Sequence, residues 1–145
     1  MRNVLNISLL LTLIFLSPMG LAADKKLPRS KAPKGAKVYI VSPKNGETVS
    51  SPVTVIFGLK NMGVAPAGVK QANTGHHHLI IDAPLPDSAN PIPSDKHHMH
   101  FGKGQTEVSL TLAPGKHTLQ LVLGDHLHIP HDPVVASEKV EITVK

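Results

Sequence analysis

Imidazole is the side chain that most often binds transition metals, and it changes charge near neutral pH. This chain of 145 residues carries ten of them, well above an average share. They fall in groups: His76-His77-His78, His97-His98-x-His100, His117 alone, then His126-x-His128 and His131. On extended backbone, a His-x-His pair puts both rings on one side, about 6.5–7 Å apart at Cα. Two such rings can reach a common ion. The candidate ligands are therefore His76, His78, His100, His126 and His128, a pool from which three or four would ligate. Asp125 and Asp132 could add an oxygen ligand or accept a ring N–H. The chain has no cysteine, which excludes disulfides, thiolate and iron–sulfur sites, a blue-copper centre and a cysteine nucleophile. Outside the N-terminal segment only Met62 and Met99 remain, too few for a methionine-rich Cu(I) site. Cu(II) or Zn(II) is what the inventory permits. There is no His-Glu-x-x-His zinc signature.

The elements that must position these rings read as strands. Val53, Val55, Phe57 and Leu59 alternate with Thr54, Ile56 and Gly58, a period of two. Val108-Leu110-Leu112, His117-Leu119-Leu121-Leu123 and Val140-Ile142-Val144 repeat that pattern. With Val38–Val41, His76–Asp82 and His97–Phe101 they make seven strands, separated by Pro- and Gly-rich turns. No segment holds a 3.6-residue period. Seven short alternating strands predict a single all-β domain, an immunoglobulin-like antiparallel sandwich over 37–145. A small closed barrel is the competing architecture. If successive strands alternate in direction, three places share one end of the sandwich. These are the start of the strand at His76, the end of the strand at His100, and the loop holding His126, His128 and His131. His117 falls at the other end, where it caps a turn carbonyl. Parity adds that His76 and His78 share a face opposite His77, Leu79 and Ile81. If Met99 and Phe101 face the core, His98 and His100 face out. His97 and His131 are expected to be bystanders.

The remaining composition concerns export and charge. Leu5–Leu16 is an apolar run behind Arg2, broken by Ser17-Pro18 and followed by Gly20-Leu21-Ala22. That is the layout of a secretory signal over residues 1–22, too short for a permanent span. Export to the periplasm or outside the cell follows, and the absence of cysteine excludes a lipid anchor at that residue type. Residues 23–36 read as a flexible basic leader. The net charge is +5 and the isoelectric point near 9.6, but from Asn45 onward seven Lys face nine Asp and Glu. The basicity thus belongs to the leader. With 3% aromatic residues there is no base-stacking surface, so nucleic acid is not an expected partner.

Other chemistries find little support. No Gly-x-Ser-x-Gly elbow, P-loop or dinucleotide fingerprint occurs. Phe101-Gly102-Lys103-Gly104-Gln105-Thr106 reads as a tight turn, since no strand and helix frame it as a phosphate cradle needs. With no nucleophile near the histidines, an enzyme is not expected.

The blocks Gly75–Asp82, His100–Glu107 and Pro114–Leu121, with Gly124–Pro130, resemble a bacterial exported domain family catalogued as a domain of unknown function, number forty-three ninety-nine. The resemblance runs from about His76 to Val144. It implies a small periplasmic or secreted domain and brings no activity with it. It also takes in His117, giving that residue a weight that topology does not. Ser42–Gly46 and Val49–Val53 resemble the opening strands of bacterial immunoglobulin-like modules. The reading is a non-enzymatic exported sandwich that binds Cu(II) or Zn(II). The alternative is an envelope interaction module whose histidine loops contact a partner protein and respond to pH.

Overall fold

Alternation of apolar and polar residues gives each strand one face to bury, and two sheets closed over those faces meet the requirement. The computed structural model describes residues 27–145. The expected signal segment and the first four leader residues lie outside the described residues. Nine strands are present among the described residues: β1 (Lys37–Ser42), β2 (Glu47–Val49), β3 (Val53–Lys60), β4 (Gly63–Val64), β5 (Thr74–Ile81), β6 (His98–Phe101), β7 (Glu107–Leu110), β8 (Gly115–Gly124) and β9 (Val140–Val144). There is no helix among them, and none long and apolar enough to cross a membrane. All seven expected strands form, and β2 and β4 are short additions.

One sheet has the order β1-β3-β7 and the other β2-β9-β8-β5-β4, with β6 also pairing β5. Between them lies one core: Val38, Ile40, Val53, Val55 and Phe57 meet Leu79, Leu119, Leu121, Leu123, Ile142 and Val144. This is an open two-sheet sandwich. Its partition differs from the immunoglobulin arrangement, in which the fourth long strand lies with the first, second and fifth. Here that strand, β6, crosses to β5. The crossing matters, because it lays His100 directly opposite His78.

The central strand β5 is buried on both faces, as expected of a strand with neighbours on both edges and cover on both sides. Its inner residues, Leu79 and Ile81, enter the main core. On the outer face, Ile80 packs with Val122 and Ile92 in a second, small apolar cluster. Ile92 belongs to the proline-punctuated connection from β5 to β6, which folds back over the sheet. Its amide donates to the carbonyl of His128. The site therefore sits on the outer face of the larger sheet near one end, under a cover of loops.

The expected leader is not free throughout. Residues 29–32 run alongside the loop that follows β8 as a strap. Asp132 N–H donates to Ser30 O, and Ala32 N–H to Asp132 O. Arg29 donates to the carbonyls of Pro130 and His131, and Lys31 pairs with Asp132.

Candidate metal centre

Four imidazoles meet on the outer face. His76 and His78 come from β5, two residues apart and on one side, and both are closed to solvent. His100 comes from β6, opposite His78 in register. His128 comes from the loop after β8. All six pairs of ring centroids lie between 4.8 and 6.1 Å. His78 Nε2 and His76 Nε2 are 3.0 Å apart, while His78 Nδ1 is buried with no partner. One ligand atom each of His76, His100 and His128 lies within 4.8 Å of the others. Tetrahedral ligand atoms around a zinc-sized ion stand about 3.3 Å apart for bonds of about 2.0–2.1 Å. These three rings are thus at most about 1.5 Å from that spacing.

The electrostatics disfavour the charged form of His76, His78 and His100. Burial, then the neighbouring His128 and His100, pushes His76 down from 6.5 to about 4, against a smaller upward pull from Asp125. Burial and the rings of His76, His100 and His128 push His78 down to about 2. His100 is lowered too, by desolvation and by His128. Neutral imidazole is the form that offers a lone pair to a metal. The four rings also repel one another's protons, a repulsion that a single shared cation would replace with attraction.

Two glycines make room for the rings. A Cβ on Gly102 would lie 2.5 Å from His100 Nε2, so the ring leans over the residue two places on, on the same side of the strand. A Cβ on Gly124 would lie 2.9 Å from His78 Nε2 and 3.1 Å from its Cδ2. His128 stands in the left-handed region at φ 65°, uncommon without glycine. Its surroundings hold it there. Its own N–H donates to Asp125 O, its carbonyl accepts from Ile92, and Asp125 Oδ1 accepts the N–H groups of Leu127 and Ile129 on either side.

The other candidates go elsewhere. His126, expected as a ligand, stays outside the cluster; it lines a cleft with Ser30, Lys31, Lys70 and Asn73. The chain turns between it and His128, so the two are not an extended His-x-His pair. Neither aspartate accepts a hydrogen bond from a ring of the cluster; their carboxylates take Ser30, Leu127, Ile129 and Lys31 instead. Burial opposes the charge of Asp125, yet hydrogen bonds from Ser30, Leu127 and Ile129 hold its carboxyl below the usual range. Asp132 is lowered by its pair with Lys31. His131 is buried with its nitrogens 3.3 Å from Leu123 O and 3.1 Å from Thr74 O, and His97 Nδ1 meets Ile81 O. Both tie loops to the sheet. His117 sits at the far end, between Ala113 O and Asp82 Oδ2 at 2.7 Å. The hydrogen bond to Asp82 raises its pKa.

His77 lies on the inner face, fully closed, 5.1 Å from the Phe57 ring, and neither nitrogen has a hydrogen-bond partner. Burial lowers its pKa. Reading the histidines alone misses the glycine seats and the Asp125 hub. The spacing His100-x-Gly102 was the available signal for the first.

No curated protein and no solved structure matches this chain. The family model described as Domain of unknown function (DUF4399) matches residues 55–145, which takes in most of β3, every later strand and all ten histidines. The matched span covers more than half of the chain, and it gives the assignment: the chain belongs to the DUF4399 family.

Proposed function

We propose that this is an exported, non-enzymatic domain that binds one Cu(II) or Zn(II) ion through His76, His78, His100 and His128. The observation that carries this is the packing of four imidazoles, two of them closed to solvent, with no centroid pair beyond 6.1 Å. Buried polar groups without partners cost stability. A cluster of four is explained by a cation that uses their lone pairs. An all-nitrogen set suits copper and zinc and disfavours magnesium and calcium, which take oxygen. With His76 and His78 held far below 6.5, the cluster is poorly suited to sensing mild acidity. That favours metal over the pH-responsive interaction module. The role would be metal buffering or delivery in the envelope.

The test is metal uptake by purified protein carrying no affinity tag. One equivalent of Cu(II) or Zn(II) should bind, and His78→Ala or His128→Ala should abolish stoichiometric uptake. Weak uptake at several sites, lost only when histidines outside the cluster such as His97, His98 and His126 are removed, would refute a specific centre. Export is tested separately: N-terminal sequencing of the periplasmic fraction should begin at Ala23.

A further inference from the structure

The strap at residues 29–32 reaches the ligand cluster through one carboxylate. Asp125 is almost fully buried. Its Oδ1 holds the amides of Leu127 and Ile129, the two neighbours of His128. Its Oδ2 accepts from Ser30 N–H at 3.1 Å and from Ser30 Oγ at 2.8 Å. Arg29 grips the same loop beyond His128, at Pro130 O and His131 O. His128 is the ligand whose backbone most needs such support, since it alone among the four has a positive φ. A left-handed non-glycine residue persists only where its surroundings over-determine it. The other three rings stand on paired strands and need no such hold.

We propose that Ser30 and Arg29 are positioning residues for the metal centre, a latch that fixes His128 by fixing Asp125. The inference rests on the metal-site reading for its consequence, and on the strap's hydrogen bonds for its geometry. When the strap is docked, Asp125 turns the loop so that the His128 ring faces His76 and His100. When it is released, Asp125 loses both contacts on Oδ2, the loop relaxes from the left-handed conformation, and the centre is left with three rings.

The experiment compares the wild type with the double variant Arg29→Ala/Ser30→Pro, which removes both donors to Asp125 Oδ2, and with the conservative Ser30→Thr, in the full chain. In the metal-free protein, proton NMR should show His128 ring contacts to His76 and His100 lost in the double variant. Contacts among His76, His78 and His100 should persist, and Ser30→Thr should match the wild type. With Zn(II) as probe, affinity in the double variant should fall roughly 10- to 100-fold, the range for losing an outer partner of a ligand. Ser30→Thr should restore it. Intact His128 contacts in the double variant would overturn the latch. So would loosening of all four rings alike, which would mark a merely structural strap. If the wild type takes up no metal, the metal reading fails, and the NMR comparison alone decides the latch.

Discussion

Substituting Gly102 by Ala should separate metal binding from stability. The backbone at Gly102 is not left-handed, so alanine meets no conformational strain there. Its Cβ, however, would lie 2.5 Å from His100 Nε2, where ordinary contact begins near about 3.5 Å. The ring must withdraw by about 1 Å. His100 is exposed, so it can swing into solvent, and the cost to the fold is small. Ala67 Cβ, 3.1 Å away on another side, must yield by a few tenths of an ångström. Against this, alanine restricts the unfolded chain, worth about 0.4–1 kcal/mol in favour of folding. Net stability should therefore change by no more than about 1 kcal/mol. Metal binding has no such tolerance, because ligand distances must hold within about 0.2 Å. Affinity should fall at least roughly 100-fold, the upper end for losing an outer partner. Zn(II) titration against a chromophoric chelator reads the first quantity, and urea unfolding of the metal-free protein reads the second. Unchanged affinity would refute the placement of His100 over Gly102. A loss of several kcal/mol would show that the ring is not free to move.

Gly124→Ala should behave differently, because the ring it strikes is His78, which is closed to solvent and has no exit. Overpacking there should cost about 1–3 kcal/mol in urea unfolding, with metal uptake lost as well. His77→Leu should raise the urea midpoint, by about 1–3 kcal/mol in stability, since it removes two buried nitrogens without partners; Zn(II) affinity should not change. For His126→Ala, affinity should match the wild type, and a large loss would return His126 to the ligand set. The metal-free protein should lose stability as pH falls below about 6.5. His76, near 4, and His78, near 2, stay neutral in the fold while the unfolded chain takes up protons. Each ring contributes a slope of up to about 1.4 kcal/mol per pH unit. His117, raised by Asp82, contributes in the opposite sense, strengthening the fold below its raised pKa. That pair is partly exposed, so its share is small. Urea midpoints that hold constant from about pH 7 to about pH 5 would refute the sign.

The sandwich and its strand faces were legible because alternation is a local property. Val53-Val55-Phe57 and Leu119-Leu121-Leu123 declare their inward faces within a few residues. The same parity separated His76 and His78 from His77, and His100 from Phe101, correctly in each case. Antiparallel order alone then brought the loop after β8 to the end of the sheet where His76 lies. Parity fails only where the backbone turns. His126 and His128 look like an extended pair in sequence, but the loop between them curls around the Asp125 carboxylate and sends the rings apart.

What the sequence determined by itself is the chemical inventory and the period: histidines without cysteine, and strands with one face to bury. Tertiary structure alone decided three things. It set β6 beside β5, so that His100 faces His78. It folded Ile92 and its loop over the outer face, turning two strand histidines into buried ones. It docked Ser30 onto Asp125, far apart in the chain. The physical reason is common to all three. Which strand edge pairs, which loop covers a face, and which donor satisfies a buried carboxylate are each settled by competition among distant partners. That competition has no signature in local composition or period.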